Sequence, residues 1–299
     1  MTMIINLSST IKVGVSPFSK FTFSAGEEHI RLFDSSNKLE EDKFKSAKDF
    51  LIISSIDSAS GIMQLLLTHN AIKNINKSAN ISLYLPYYPF ARQDRIMVSG
   101  EPASLKVFAN LLNECKFYAV HVLDPHSEVT SALTNNISII SNEQFFHYAY
   151  SDILAITSND KSKIVLVSPD AGAEKKIYST AKILSIENIV LAVKKRNVLT
   201  GSIEMTNFIG NVENKICIIQ DDIIDGGATF IELAKKLKER GASLVYLIVS
   251  HGIFSRGFDC LKSTLDGIYT TNSIKYFPSE YPYVKTYLLD NDIKKMFCE

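Results

Sequence analysis

The chain has 299 residues, longer than a typical single domain, so two domains of about 150 residues each are expected. Its 32 lysines and arginines balance its 32 aspartates and glutamates, which excludes an overall basic field that would attract nucleic acid or an anionic membrane. With 46% hydrophobic and 21% charged residues, the composition also excludes a disordered or fibrous protein. Any recognition of phosphate must therefore be local, which indicates a small anionic ligand.

The N-terminal segment MTMIINLSSTIKVGV has no basic region followed by a long apolar core, and no run of about 18 apolar residues occurs anywhere. We therefore expect a cytoplasmic protein without a membrane segment. The cysteines at positions 115, 217, 260 and 298 lack C-x-x-C spacing and have no companion histidine cluster. They indicate free thiols and not a zinc site.

Short β-branched runs alternate with helical patterns along the chain. In chain order, the predicted strands are DFLIISSI at 49–56, NISLYLP at 80–86, FYAVHVLD at 117–124, KIVLVSPD at 163–170, KICIIQDD at 215–222 and SLVYLIVSH at 243–251. Such nearly continuous apolar strands are buried on both faces, which predicts an α/β fold with mostly parallel sheets covered by helices. The polar stretch at 155–163 suggests a boundary between domains at 1–150 and 151–299, with the last segment packing on the first domain.

Polar clusters follow several of the predicted strands. They occupy residues 87–95, 124–128, 170–176 and 221–229. Ligands of open α/β sheets bind beyond the carboxyl ends of the strands, so these clusters are predicted to form the loops of a binding site.

The strongest of these signals is the segment KICIIQDDIIDGGATFIELAKKLKERGA at 215–242. A hydrophobic strand runs into two acids and a turn of small residues, and a helix closed by Gly241 follows. The apolar residues predicted to share one face of this helix are Phe230, Leu233, Ala234 and Leu237. The turn itself consists of Asp225, Gly226, Gly227, Ala228 and Thr229.

This turn has the chemistry of a site for a pentose phosphate. Its small residues let backbone N–H groups approach a phosphate, Thr229 adds a hydroxyl, and the helix dipole favours the negative charge. Asp221 and Asp222 suit the hydroxyls of a ribose. The alternative is a tight strand-to-helix turn with acidic caps, which accounts less well for paired acids beside Gly-Gly-Ala-Thr.

The turn resembles the pentose-phosphate loop of the phosphoribosyltransferase superfamily. Further segments resemble, in order and spacing, ribose-phosphate pyrophosphokinase, also called phosphoribosyl pyrophosphate synthetase: YLPYYPFARQDR at 84–95, DPHS at 124–127, SPDAGAEKK at 168–176 and VKKRNVLTG at 193–201. The resemblance spans roughly residues 20–255. It implies two phosphoribosyltransferase-like α/β domains, of which only the second carries the loop. It also implies transfer of the β,γ-diphosphoryl group of ATP to the 1-hydroxyl of ribose 5-phosphate, giving phosphoribosyl pyrophosphate and AMP.

The resemblance further implies which residues hold ATP. Arg92 and Gln93 match the family's ATP-contacting pair, although alone they would be read as part of a surface salt-bridge cluster. The segment FSAGEEHIRL resembles the family's F-S-D-G-E nucleotide element, which reaches a neighbouring subunit's site. Gly26 and Glu27 are retained there, but Ala25 replaces the aspartate, so an altered contact to the nucleotide is expected.

Two residues match family positions tied to Mg²⁺ and the phosphates of ATP. They are His126 in Asp-Pro-His-Ser and Asp170 in Ser-Pro-Asp-Ala-Gly. A carboxylate suits Mg²⁺, whereas an imidazole binds the metal or hydrogen-bonds to phosphate. The family usually has leucine where Pro125 stands, and a lone histidine after a strand is more often structural than a ligand.

The cations Lys194 and Arg196 fit the K-x-R pattern of the family's catalytic loop, where both stabilise charge on the transferring group. Lys195 leaves the register open, because counting back from Gly210 favours it over Lys194. Without the resemblance, this segment would be read as a solvated basic loop.

The resemblance also implies a homo-oligomer, by default dimers that assemble into hexamers, because nucleotide sites in the family are completed across subunits. Two alternatives stay open. A catalytically silent regulatory homologue is suggested by the departures at Ala25 and Pro125, although the pentose loop and the K-x-R pattern are retained. A phosphoribosyltransferase that consumes phosphoribosyl pyrophosphate would explain the loop but leaves ARQDR and DPHS without a role.

Overall fold

The computed structural model describes residues 2–170, 172–196, 203–278 and 283–298. The chain forms two compact units, residues 1–141 together with 288–299, and residues 142–287. The division therefore falls at 141/142 and not at the expected boundary after residue 150. The cause is a helix at Glu143–Ile156, whose Phe145, Phe146 and Ile153 pack into a hydrophobic cluster of the second unit.

The first unit contains a five-stranded sheet, a two-stranded hairpin and helices. Its strands are β1 (Met3–Asn6), β2 (Ser19–Thr22), β3 (Glu28–Arg31), β4 (Asp49–Ile53), β5 (Asn80–Leu85), β6 (Val120–Leu123) and β7 (Ile137–Ile140). Its helices are α1 (Lys38–Ser46), α2 (Ala59–Ile75), α3 (Ser104–Cys115), α4 (Val129–Leu133) and, near the end of the chain, α9 (Asp290–Phe297).

The five-stranded sheet has the order β1-β4-β5-β6-β7, and all neighbouring strands are parallel. Strand β4, DFLII, is buried at every residue except the first, as expected for a strand covered on both faces. Helix α3 contributes Leu105, Phe108 and Leu112 to the hydrophobic core of this unit. Because the strands run in one direction, the loops after β5 and β6 lie at the same edge of the sheet.

The last residues of the chain belong to the first unit. The Phe297 ring of α9 lies edge-on to His121 at 4.9 Å and to Tyr84 at 6.2 Å, measured between ring centroids. Asp290, at the start of α9, accepts the backbone N–H of Lys12 at 2.6 Å. Residues 288–298 are therefore held by contacts within the first unit, among them contacts with strands β5 and β6.

The second unit contains a seven-stranded sheet. Its strands are β8 (Ile164–Ser168), β9 (Ile189–Arg196), β10 (Ile203–Ile209), β11 (Ile216–Ile224), β12 (Leu244–Gly252), β13 (Gly267–Thr271) and β14 (Val284–Tyr287). Its helices are α5 (Glu143–Ile156), α6 (Glu174–Leu184), α7 (Ala228–Glu239) and α8 (Asp259–Lys262), with a 3-10 turn at Lys161–Lys163. Across the described ranges, no helix of either unit has the length and apolar character needed to cross a membrane.

The seven-stranded sheet has the order β10-β9-β8-β11-β12-β13-β14. Every pair is parallel except β9 and β10, which form an antiparallel hairpin at one edge. All the strands predicted from apolar runs are present in the two sheets. The predicted fold class, α/β with mostly parallel sheets, is confirmed.

Helix α7 has the face that the sequence predicts. Its buried residues are Phe230, Leu233, Ala234 and Leu237. Each large apolar side chain removed from water in this way contributes about 1.5–3 kcal/mol, so this face fixes the helix on the sheet. Gly241 follows the helix with a φ of 89°, a left-handed conformation that favours glycine. The packing of α7 therefore fixes the turn that precedes it.

Candidate active site

The predicted pentose-phosphate loop lies between β11 and α7, at the carboxyl end of the central strand of the second sheet. Strand β11 continues through the paired acids to Ile224, and α7 begins at Ala228. Gly227 precedes the helix with a left-handed φ of 78°, which glycine adopts without strain. Backbone N–H groups in the first turn of a helix have no acceptor within it, so the turn has donors suited to a phosphate.

The two acids of β11 differ in their surroundings. Successive side chains of a strand point to opposite faces, and Asp222 is buried whereas Asp221 is half-buried. Asp221 Oδ1 accepts the backbone N–H of Asp222 at 2.8 Å. Burial is the main cause that raises the pKa of Asp221 well above its ordinary value. The negative charge of Asp222 raises this pKa further, and the charge of Asp170 adds a smaller effect. The predicted metal residue Asp170 therefore lies within electrostatic reach of the loop.

We expect Asp221→Asn to stabilise the ligand-free protein at neutral pH. A raised pKa means that the folded protein binds the Asp221 proton more tightly than the unfolded chain does. Stability is therefore lost as the pH rises from the unfolded value of about 3.9 through the folded pKa. The gain in melting temperature over wild type should be absent near pH 4 and complete above the folded pKa. Each 1 kcal/mol relieved corresponds to about 2–4 °C in thermal-shift measurements.

Asp160→Asn is the matched control for this prediction. Asp160 is a partly exposed acid of the same unit, and hydrogen bonds from Ser162 lower its pKa, so its ionised form contributes stability above the unfolded pKa. The Asp160→Asn variant should show no gain at neutral pH. An Asp221→Asn protein that melts at or below the wild-type temperature there would contradict the assigned environment of Asp221.

The ARQDR and DPHS segments meet in the first unit. The Ser127 hydroxyl donates to Asp94 Oδ2 at 2.8 Å, which joins the loop after β6 to the loop after β5. This hydrogen bond is the main cause that lowers the pKa of Asp94. The predicted ligand-contacting residues Arg92, Gln93 and His126 are exposed on these two loops. The structure therefore brings two separately predicted segments into one surface.

Both loops contain a non-glycine residue in the left-handed backbone region. Phe90 has a φ of 62° and Asp124 has a φ of 37°. Such conformations cost about 1–3 kcal/mol each and persist only where the surroundings fix them. The Phe90 ring packs near that of Phe108 at 5.8 Å, and the Asp124 N–H donates to the Ile140 carbonyl at 3.1 Å. Strain of this kind clusters at functional sites, which supports a ligand-binding role for these loops.

If these loops hold ATP, as the resemblance implies, Ser127→Ala should weaken ATP binding without affecting ribose 5-phosphate. Loss of the bond to Asp94 releases the contact between the two loops, and one such hydrogen bond contributes about 1 kcal/mol. The KM for ATP should rise roughly fivefold, as judged by initial rates at saturating ribose 5-phosphate. Ser46→Ala, which removes a hydroxyl bonded to the Asp42 carbonyl on α1, should leave both KM values unchanged. A changed KM for ribose 5-phosphate alone would refute this assignment.

The predicted nucleotide element at Gly26 and Glu27 lies in the turn between β2 and β3. Both residues are exposed, and Gly26 has a φ of 94°. Beside the turn, Phe21 and Phe23 form an exposed aromatic cluster with His29, with ring centroids 4.9–5.6 Å apart. The structure therefore presents Gly26 and Glu27 at the tip of an exposed hairpin.

The predicted metal residues lie in different units. Asp170 Oδ1 accepts the backbone N–H groups of Gly172 and Ala173 at 2.9 and 3.1 Å, which fixes the carboxylate at the start of α6. His126 is exposed after β6 in the first unit. Across the described ranges no group of three or more histidine, cysteine, aspartate or glutamate side chains could hold a metal ion by itself.

The predicted catalytic cations lie at the end of β9. The backbone of this strand pairs Lys194 with Met205 and Arg196 with Ile203. The side chains of these residues, and residues 197–202 of the predicted loop, lie outside the described part of the structure.

Sequence reasoning missed one cation beside the pentose-phosphate loop. Arg256 lies in the segment after β12, and its side chain packs against Gly226. A β-carbon placed on Gly226 would lie 3.4 Å from Arg256 Nε and 3.5 Å from its Cδ. A lone arginine in a loop has no spacing pattern, so only the fold could bring it to the site.

Each of the two α/β units is built on a mostly parallel sheet. Together with the strand–loop–helix turn at 221–229, these units define a phosphoribosyltransferase-like protein. Residues 5–115 match the N-terminal domain of ribose phosphate pyrophosphokinase, and residues 187–299 match the phosphoribosyl synthetase-associated domain. Similarity therefore reaches both units and continues beyond the segments recognised from motifs alone.

Whole proteins of the same name are similar to this chain. Ribose-phosphate pyrophosphokinase of Mycoplasmopsis pulmonis is 32% identical over 250 residues, which are 80% of this chain and 74% of that protein. The enzyme of Listeria ivanovii is 31% identical over 241 residues, 78% of this chain and 69% of that protein. The crystal structure of phosphoribosylpyrophosphate synthetase from Mycobacterium smegmatis superimposes with a TM-score of 0.78, covering 99% of this chain and 97% of that one at 21% identity.

The chain belongs to the ribose-phosphate pyrophosphokinase family. It is an enzyme of the diphosphotransferase class, which joins the diphosphoryl group of ATP to ribose 5-phosphate. Kinase-type reactions of this class need a divalent metal. These relatives give no support to either alternative, the catalytically silent regulatory homologue or the phosphoribosyltransferase that consumes phosphoribosyl pyrophosphate.

Proposed function

We propose that the loop at 221–229 holds ribose 5-phosphate, that Arg92 and Gln93 bind ATP, and that the 1-hydroxyl oxygen of ribose 5-phosphate attacks the β-phosphorus of ATP. The bond between that phosphorus and the α,β-bridging oxygen breaks. AMP leaves, and the proton of the hydroxyl is released to solvent. The observation that carries the proposal is the turn itself, with paired acids at the end of β11 and left-handed Gly227 before α7.

Ribose 5-phosphate is recognised by two kinds of group in this proposal. The backbone of Asp225 through Ala228 and the hydroxyl of Thr229 receive the phosphate. Asp221 and Asp222 accept hydrogen bonds from the ribose hydroxyls. Since Asp221 is the more exposed of the two acids, we assign it the direct contact and Asp222 a supporting one.

ATP is assigned to the first unit. The Arg92 guanidinium binds the nucleotide phosphates, and Gln93 supplies an amide to the base or ribose. The hydrogen bond between Ser127 and Asp94, the strained backbone at Phe90 and the exposure of both side chains support this assignment. Gly26 and Glu27 contribute to a nucleotide site from the exposed hairpin.

Mg²⁺ fits the donor chemistry of Asp170. This ion prefers oxygen ligands and binds through one or two carboxylates together with substrate phosphates, so a three-residue protein cage is not required. Asp170 offers a carboxylate fixed by two backbone amides. The imidazole of His126 is a less suitable Mg²⁺ ligand, and we assign it mainly to a hydrogen bond with phosphate. When bound, the ion neutralises charge on the phosphates.

Lys194 and Arg196 are assigned to the transferring diphosphoryl group. Negative charge spreads over its oxygens in the transition state, and the two cations of the K-x-R pattern stabilise that charge. We further propose a cytoplasmic homo-oligomer. The exposed aromatic cluster of Phe21 and Phe23 supports a surface that a second copy covers.

The proposal is tested with purified protein, ribose 5-phosphate, ATP and a divalent metal, following AMP and phosphoribosyl pyrophosphate together. Equal amounts of both products with Mg²⁺, and none after chelation, are expected. Binding of ribose 5-phosphate without either product would instead indicate the silent homologue. Consumption of added phosphoribosyl pyrophosphate with a free base would indicate the transferase.

A further inference from the structure

A cavity of about 260 Å³ opens beside the pentose-phosphate loop, on the side of α7 that faces the segment after β12. Its lining residues are Gly226, Ala228, Ile231, Glu232, Lys235, Arg256 and Cys260. The loop contributes Gly226 and Ala228 to this lining, and the segment after β12 contributes Arg256. A water molecule occupies about 30 Å³ of liquid, so the cavity has room for a phosphate group.

Arg256 is exposed, and its side chain lies against the loop. The Cγ, Cδ and Nε atoms of its side chain lie 3.4–3.8 Å from the position that a β-carbon on Gly226 would take. These are ordinary van der Waals distances, so the Arg256 side chain packs on the loop at Gly226. The guanidinium therefore lies beside the part of the loop that is proposed to contact the substrate.

The charges around the cavity favour an anion. Arg256 and Lys235 contribute two cations, and the one acid of the lining, Glu232, lies 3.6 Å from Lys236 on the same helix. Throughout the part of the chain that the structure describes, Arg256 forms no ion pair or hydrogen bond. The loop at 221–229 contains three acids, Asp221, Asp222 and Asp225. Cations are needed to offset their negative charge when an anionic substrate binds there.

We propose that Arg256 is a substrate-binding residue that contacts the phosphate of ribose 5-phosphate in this cavity, with Lys235 adding a second positive charge. The inference rests on the proposed role of the loop and extends it to a side chain outside the motif. Arginine suits this task because its planar guanidinium binds two phosphate oxygens at once. The backbone of the loop and the guanidinium then hold the phosphate from two sides.

Two variants separate the charge of Arg256 from its packing. Arg256→Met keeps an unbranched apolar stem against Gly226 and removes the charge, whereas Arg256→Lys keeps the charge and loses the planar fork. We expect the KM for ribose 5-phosphate to rise about tenfold or more in Arg256→Met and clearly less in Arg256→Lys. The kcat, the KM for ATP and the melting temperature should stay near wild type.

Lys262→Met is the matched control, because Lys262 is an exposed cation of α8 that does not line the cavity and is paired with Asp259 at 3.0 Å. It should leave every kinetic constant unchanged. Equal effects of Arg256→Met and Arg256→Lys, or a loss of stability in both, would overturn the proposal in favour of a packing role.

Alkylation of Cys260 gives a readout that does not depend on turnover. Both Cys260 and Cys298 are exposed, and only Cys260 lines the cavity. Iodoacetamide labelling followed by mass spectrometry should show that ribose 5-phosphate protects Cys260 but not Cys298 in wild type. At the same ligand concentration, protection should be lost in Arg256→Met.

The outcomes distinguish the two proposals. An active wild type whose Arg256→Met variant keeps the same KM for ribose 5-phosphate and the same protection would overturn the role of Arg256 and leave the proposed function intact. A wild type that forms no phosphoribosyl pyrophosphate and shows no protection by ribose 5-phosphate would overturn both.

Discussion

Replacing Lys194 with alanine should lower kcat by roughly 100- to 1,000-fold while the KM values for ATP and ribose 5-phosphate change little. The expected size is that of losing one preorganised donor to charge that develops in the transition state. Because such charge is largely absent in the bound substrates, the loss should fall on the chemical step and not on binding. Steady-state kinetics and calorimetric binding of each substrate measure the two parts separately.

Lys195→Ala is the matched control for this prediction. The two lysines are adjacent, but only Lys194 fits the K-x-R pattern with Arg196. Lys195→Ala should therefore retain most of the activity. Near-normal turnover in Lys194→Ala with a large loss in Lys195→Ala would move the catalytic role by one residue, and normal turnover in both would refute the assignment of this segment.

Replacing Gly227 with alanine should raise the KM for ribose 5-phosphate by about tenfold or more. Gly227 has a φ of 78°, and an added β-carbon would lie 2.7 Å from Cδ2 of buried Leu261. The side chain of Leu261 or the loop backbone must then move, and a small displacement of phosphate donors is costly because they act at hydrogen-bonding distance. Initial-rate kinetics with ATP held saturating give the measurement.

Gly241→Ala, at the other end of α7, is the control. Gly241 has a similar φ of 89°, but a β-carbon there would lie no closer than 3.4 Å to Glu213. This variant carries the same kind of backbone strain, about 1 kcal/mol, without a clash or a contact to the loop. It should melt at a lower temperature and keep the wild-type KM. An equal rise in KM in both variants would mean that global stability, and not loop geometry, causes the effect.

Local patterns were sufficient to predict the second half of the candidate site. Paired acids, small residues and an amphipathic helix lie within one continuous segment, so strand β11, the turn and the buried face of α7 could be read directly. The alternation of the two acids was less visible. The sequence predicted a strand through both acids, but only the structure shows that Asp222 is buried and Asp221 half-buried.

Contacts between distant segments could not be predicted in the same way. The hydrogen bond from Ser127 to Asp94 joins residues 33 positions apart, and Arg256 reaches Gly226 only because β11 and β12 are neighbours. The boundary between the units was misplaced because α5 resembles any amphipathic helix, and its cluster of core partners in the second unit is a tertiary property. The roles assigned to individual residues stay predictions.

The most direct test of the central claim is the fate of the γ-phosphate of ATP. Protein is incubated with ribose 5-phosphate, Mg²⁺ and ATP labelled with radioactive phosphorus at the γ position, and the products are separated. Label in phosphoribosyl pyrophosphate, formed in equal amount with unlabelled AMP, is the predicted result. Label in inorganic phosphate beside ADP, or no label in any pentose product, would contradict diphosphoryl transfer by this chain.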